Sequence, residues 1–155
     1  MINTKEEEEL KGSGYNNRRK ILHKFTKEEE IIIEADRIRL SQVISNLLDN
    51  AIKFTKEEEG TISVVVEKKK DSNTNTNKEV VIVSIKDTGS GIDSDIFPRL
   101  FEKFVSKSSK GTGLGLFISK SIIEDHGGKI WAENNSDGKG ATFAFSLPTY
   151  QLINQ

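Results

Sequence analysis

The chain has 155 residues, of which 30% are charged and 34% hydrophobic, with a formal net charge of −1 and no cysteine. That composition is that of a soluble globular domain with one core, not of a disordered chain. It excludes disulfides, thiolate metal sites and cysteine nucleophiles, and gives no long-range attraction to nucleic acid or anionic membrane.

No apolar run approaches the ~20 residues needed to span a bilayer. The N-terminal Met1-Ile-Asn-Thr-Lys-Glu-Glu-Glu-Glu9 lacks the apolar stretch of a signal peptide, so a cytoplasmic location is the expectation.

In chain order, residues 1–20 are polar, with an acidic run and Gly12-Ser-Gly14, and read as a flexible lead-in. Residues 21–150 read as one domain, and 151–155 as a tail. Within the domain, Ile21–Phe25 and Ile31–Glu34 are expected strands. Asp36 is an expected N-cap for a long helix reaching Thr55. Thr61–Lys70 and Glu79–Asp87 are rich in β-branched residues, and the polar tract at 71–77 joins them as a hairpin loop. A loop-rich stretch from Thr88 to Thr112 precedes a second helix from about Gly113 to Asp125, which Gly127-Gly128 should close. Lys129–Glu133 and Ala141–Leu147 are the last strands, with Asp137-Gly-Lys-Gly140 turning between them. The order predicts an α+β domain: a mixed, mostly antiparallel sheet with helices on one face.

The long helix carries the most informative anomaly. Ile38, Val43, Ile44, Leu47, Leu48, Ala51 and Ile52 fill most of its circumference and predict a largely buried helix. Asn46, Asn50 and Lys53, spaced i, i+4, i+7, form a polar stripe on that helix. Two amides and an amine there are costly unless something satisfies them, and a hydrated cation with a polyphosphate would.

Two glycine runs supply the rest of such a site. In Asp87-Thr-Gly-Ser-Gly-Ile92, Gly89 and Gly91 allow close backbone approach to a ligand, and the Asp87 carboxylate can accept from an exocyclic amine such as adenine's. Ordinary turns use the same residues, so this run alone leaves both readings open. Gly111-Thr-Gly-Leu-Gly-Leu116 leads straight into a helix, and free N–H groups at a helix start bind anions. It is neither a P-loop nor a dinucleotide fingerprint. Between the runs, Phe101 and Phe104 are spaced to anchor one helical turn. Ser106–Lys110 should then form a mobile lid carrying Lys107 and Lys110, with Lys103 beside it. For any one of these lysines, a solvated surface position is the simpler reading.

Taken in order, Asn46-Leu-Leu-Asp-Asn-Ala-Ile-Lys-Phe-Thr55, Asp87-Thr-Gly-Ser-Gly-Ile92, Leu100-Phe-Glu-Lys-Phe104 and Gly111-Thr-Gly-Leu-Gly-Leu116 closely resemble the four signature boxes of sensor histidine kinases. The resemblance is to their catalytic ATP-binding domain, within the GHKL superfamily. It implies a two-layer α/β sandwich with an ATP lid. It implies that Asn50 holds Mg²⁺, that Asn46 helps metal and phosphates, and that Lys53 reaches the phosphates. Phe54 would stand beside the adenine, Asp87 would read its amine, and Gly89, Gly91 and Ile92 would shape that pocket. Phe101 and Phe104 belong to the lid, with Lys107 and Lys110. Gly111, Thr112, Gly113, Leu114 and Gly115 form its phosphate-binding end.

Hydrolytic relatives of this superfamily carry a glutamate base where this chain has Asn46, and an amide takes no proton at neutral pH. The resemblance therefore implies phosphoryl transfer from Mg-ATP to a histidine rather than hydrolysis. Asp49, one turn on, reads as structural. Neither histidine fits the acceptor: His23 is followed by Lys24 in a strand, and His126 precedes Gly127 at a helix end. The expectation is a catalytic half, monomeric by itself, acting on a separate dimerisation and phosphoacceptor domain with a response regulator downstream. A regulatory nucleotide-binding module without transfer and a GHKL protein-serine kinase are the alternatives.

Overall fold

The computed structural model describes residues 8–9, 20–25, 31–71, 78–106 and 111–150. Its elements are β1 (Glu8–Glu9), β2 (Lys20–Phe25), α1 (Arg37–Phe54), β3 (Thr61–Lys70), β4 (Glu79–Asp87), a single 3₁₀ turn at Phe97–Arg99, α2 (Gly115–Asp125), β5 (Lys129–Asn134) and β6 (Ala141–Pro148). The strands form one sheet in the order β1-β2-β3-β4-β6-β5. Among the described strands only the β2–β3 pair is parallel, so the sheet is mixed and mostly antiparallel as expected.

Register decides the core. Val64 pairs with Ile85 and Val66 with Val83, while Ile85 pairs with Phe143 and Val83 with Phe145. These residues share the face against which the helices pack. Val43, Leu47 and Ala51 of α1 and Ile122 and Ile123 of α2 complete that layer, and Leu47, Ile85, Ile123 and Phe145 are wholly excluded from solvent. Each such side chain contributes on the order of 1.5–3 kcal/mol relative to exposure. The opposite face carries Glu67, Lys86 and Glu133, and leaves Trp131 partly exposed.

Asp36 caps α1 as predicted: its Oδ1 accepts from the N–H groups of Ile38 at 2.9 Å and Arg39 at 3.1 Å. At the far end of α2, His126 accepts from the Asp36 N–H through Nε2 at 2.9 Å and donates from Nδ1 to the Ile122 carbonyl at 2.7 Å. This imidazole thus ties the start of α1 to the end of α2. Gly127 closes α2 at φ +73°, and the Gly128 N–H returns to the Ile123 carbonyl at 2.9 Å.

Three sequence expectations change. Ile31–Glu34 is not a strand: the Tyr150 N–H donates to the Ile32 carbonyl at 2.7 Å, but no ladder forms, and Ile31 and Ile33 are held by packing on the core. The long helix is less buried than its apolar content implied. Ile38 sits in its first turn, ahead of the contact with the sheet, and is 82% exposed. Within the expected lead-in, Glu8–Glu9 pairs with β2; the rest of that stretch and residues 151–155 lie outside the described residues. So does 72–77 of the hairpin loop, which the Asp71 N–H closes on the Lys78 carbonyl at 2.8 Å.

Candidate nucleotide site

The last turns of α1, the end of β4 and the start of α2 enclose a cavity of about 590 Å³. Asn46, Asn50, Lys53 and Phe54 line it from α1, and Asp87, Gly91 and Ile92 from the first glycine run. Gly111, Thr112, Gly113 and Gly115 line it from the second. Residues from three separate stretches of sequence therefore meet around one space of nucleotide size.

The polar stripe is satisfied differently from what its spacing suggested. The Asn46 amide nitrogen donates to the Gly115 carbonyl at 3.3 Å and to Ser119 Oγ at 3.2 Å. Ser119 is fully buried. Asn46 thus fastens α1 to the first turn of α2 and leaves its amide oxygen as the acceptor of the pair. Lys53 is exposed; a Cβ placed on Gly111 would lie 3.3 Å from its Nζ, so this amine stands where the second glycine run enters the site. It also lies 5.4 Å from the centroid of the Phe54 ring. Asp49, expected to be structural, lines the cavity too.

At the other end, Asp87 is 3% exposed. Its Oδ1 accepts from the N–H groups of Gly89 at 2.8 Å and Ala141 at 3.3 Å. Burial pushes its carboxyl above the ordinary range, and these two backbone donors pull in the opposite direction. Both bonds fall on one oxygen, which leaves Oδ2 as an acceptor for a ligand.

Gly89 and Gly91 are both required by the protein's own packing. A Cβ on Gly89 would meet the Phe54 carbonyl oxygen at 2.3 Å. Gly91 has φ +75°, and its Cβ would meet Asn134 Oδ1 at 2.9 Å. Gly89 lies behind the wall; Phe101 packs on the core, also outside the cavity lining. Phe104 does not anchor a helical turn. Its backbone is left-handed at φ +65°, its N–H donates to the Gly113 carbonyl at 2.9 Å, and its ring is 76% exposed. Leu114 is the N-cap of α2. Lys107 and Lys110 lie outside the described residues, and Lys103 stacks over the Phe117 ring at 4.8 Å.

Sequence reasoning missed two residues that act on this site. Asn134 donates to the Ile92 carbonyl at 2.9 Å and accepts from the Ile92 N–H at 2.7 Å. Buried Asn135 donates to the Asp87 carbonyl at 2.8 Å and the Lys139 carbonyl at 2.7 Å, and accepts from Thr142 Oγ1 at 2.7 Å.

The sequence matches the family described as histidine kinase-, DNA gyrase B- and HSP90-like ATPase over residues 35–151. The chain belongs to that family, whose members use ATP. It is 42% identical over 117 residues to the sensor protein FixL of Bradyrhizobium diazoefficiens, a match covering 76% of this chain and 22% of FixL. The catalytic domain of the histidine kinase ThkA superposes with a TM-score of 0.68 at 38% identity, covering 86% of this chain and 82% of that one. Full-length ShkA in complex with AMPPNP superposes with a TM-score of 0.70 at 30% identity, covering 88% of this chain and 27% of ShkA. This chain thus spans about a fifth of FixL, and these two solved relatives are histidine kinases sharing the two-layer α/β fold.

Proposed function

We propose that this chain binds Mg-ATP and donates the γ-phosphoryl group to a histidine on a separate dimerisation and phosphoacceptor domain, in two-component signalling in the cytoplasm. The observation that carries this reading is the single cavity joining the Asn46–Lys53 edge, Asp87 and the glycine-bordered start of α2.

Asp87 Oδ2 would accept from the adenine amine, with Phe54 and Ile92 as flanking walls. The backbone from Gly111 to Gly115, at the start of the 11-residue α2, would take the phosphates, with Lys53 as a point charge. The donor set fits Mg²⁺: amide oxygens of Asn46 and Asn50 are hard neutral ligands, suited to an ion that keeps waters and leans on substrate phosphates. Among the described residues no cluster of three or more acidic or histidine side chains offers another metal cage. Asn50 would hold the ion, which supplies charge neutralisation on the phosphates. The protein's own contribution is position: Asn46, locked to Gly115 and Ser119, fixes where the helix edge meets the glycine backbone.

His126 cannot accept the phosphoryl group while both its ring nitrogens hold α1 and α2 together. His126 is therefore not the acceptor in this fold. Asp49 at the cavity supports one second reading, ATP hydrolysis with that carboxylate as base.

Labelled ATP with a phosphoacceptor domain from a related kinase tests the transfer. Acid-labile, base-stable label on that domain supports it, and phosphate release without any acceptor, lost in Asp49→Asn, replaces it with hydrolysis. Nucleotide binding with neither outcome leaves a regulatory module, and acid-stable label on serine marks a serine kinase.

A further inference from the structure

Neither Asn134 nor Asn135 borders the cavity, yet one hairpin sends both side chains into the segment that does. Asn135 reaches the backbone at Asp87, where the segment begins, and Asn134 takes both backbone groups of Ile92, where it ends. The segment between them has no regular secondary structure to hold it. The Gly91 geometry agrees: a Cβ there would strike Asn134 Oδ1, so the bare backbone and the amide fit as a pair.

We infer that Asn134 and Asn135 are positioning residues that set the adenine wall, with Asn134 acting as the latch on Ile92 and Asn135 as the hinge pin at Asp87. The inference rests on the nucleotide reading given above. Its physical content is preorganisation. Without the latch, Ile92 no longer starts in the geometry that flanks a base, and each binding event must order the segment after Asp87 anew. Among the described residues the phosphate end shares no hydrogen bond with either asparagine, and it should not notice.

Asn134 is exposed, so water can replace its bonds and Asn134→Ala should fold; Asn135 is buried and its truncation leaves polar groups orphaned. The experiment uses the full chain and two ligands, ATP and inorganic tripolyphosphate, each with Mg²⁺. Loss of two hydrogen bonds should weaken ATP by about tenfold. Tripolyphosphate affinity should stay unchanged, and hydrogen exchange at the Ile92 amide should speed up. Asn134→Asp, which keeps the acceptor for the Ile92 N–H, should recover part of the ATP affinity.

Unchanged ATP affinity in Asn134→Ala overturns the inference, as does an equal loss for both ligands, which marks a general structural effect. A wild-type chain that binds neither ligand removes the nucleotide reading itself. Wild-type binding with an indifferent Asn134→Ala removes only the positioning role.

Discussion

The two ends of the cavity are built on opposite principles. At the base end, Asp87 is nearly excluded from solvent, and the run from Asp87 to Ile92 is bracketed by side-chain amides from β5 and the turn after it. At the phosphate end, Lys53 and Gly111 are exposed, and among the described residues the polar stripe is hydrogen-bonded through Asn46. A base is read by a few directional hydrogen bonds, which discriminate only if their donors and acceptors are held in place. A polyphosphate is held by charge and by helix-end dipoles, which tolerate looser geometry and weaken with salt. Rigidity is spent where recognition is directional.

The largest expected break in this contrast is Asp87→Asn. The new amide oxygen still accepts from Gly89 and Ala141, so the nitrogen replaces Oδ2 and meets the adenine amine as donor against donor. ATP affinity should fall by about 100-fold or more, because a site built to pair a polar group rejects its mismatch strongly. GTP, with an acceptor at that position, should gain relative to ATP. The unliganded fold should not suffer. Because burial raises the Asp87 carboxyl, the fold holds this proton more tightly than the unfolded chain does. Stability from this group is thus present below the ordinary carboxylate value and lost as pH rises through the raised one. The variant should therefore match or exceed wild-type melting temperature at neutral pH, with a flatter acid-side profile, as thermal melts across pH would show. Equal binding of ATP and GTP by the wild type would end the adenine assignment.

Asn50→Ala probes the other end. With Mg-ATP at about 100 times its Kd, binding should stabilise the wild type by roughly 2.7 kcal/mol. The variant should lose the Mg²⁺-dependent part of that gain and keep what nucleotide alone provides; an unchanged shift would remove Asn50 as the metal residue. Lys53→Met should do less. Its amine is exposed, so ATP affinity should drop by about three- to tenfold at low salt and converge with wild type as salt rises. If the Lys53 effect were salt-independent, the phosphate end would be as preorganised as the base end, and the contrast would fail.

Much of this was legible in the sequence because it is local. The Asp36 cap and the Gly127 stop are fixed by neighbours a few positions away, and the pairing of β3 with β4 needs only two adjacent strands joined by one loop. The order of the asparagine stripe and glycine runs sufficed to indicate one shared cavity. What escaped was contact across the chain. Ser119 as the partner of Asn46 lies 73 positions away, and Asn134 and Asn135 look like polar turn residues until the sheet brings them 42 and 48 positions back to Ile92 and Asp87. Pattern misled where packing overrode it. Ile31-Ile-Ile33 has strand chemistry but finds no strand beside it, and Phe104 sits where the backbone must turn left-handed beside Gly113.

The smallest expected effect comes from a site remote from both ends, and it serves to calibrate the others. Asp36→Ala removes two acceptor bonds at the start of α1 while leaving the cavity untouched. The melting temperature should fall by about 2–4 °C, in line with loss of an N-cap in a domain of this size. The backbone N–H groups of α1, Arg39's foremost, hold the Asp36 carboxyl below its ordinary value. Its contribution is thus present above the ordinary carboxylate range and lost as pH falls through the lowered value, so the gap between wild type and variant should close in acid. Asp36→Asn keeps the acceptor and should recover most of the loss, without the pH dependence. Nucleotide affinity should not move in either variant. A change in ATP affinity here would mean that any loosening of α1 reaches the site, and losses at Asn50 or Lys53 would then reflect a softened helix rather than a missing ligand contact.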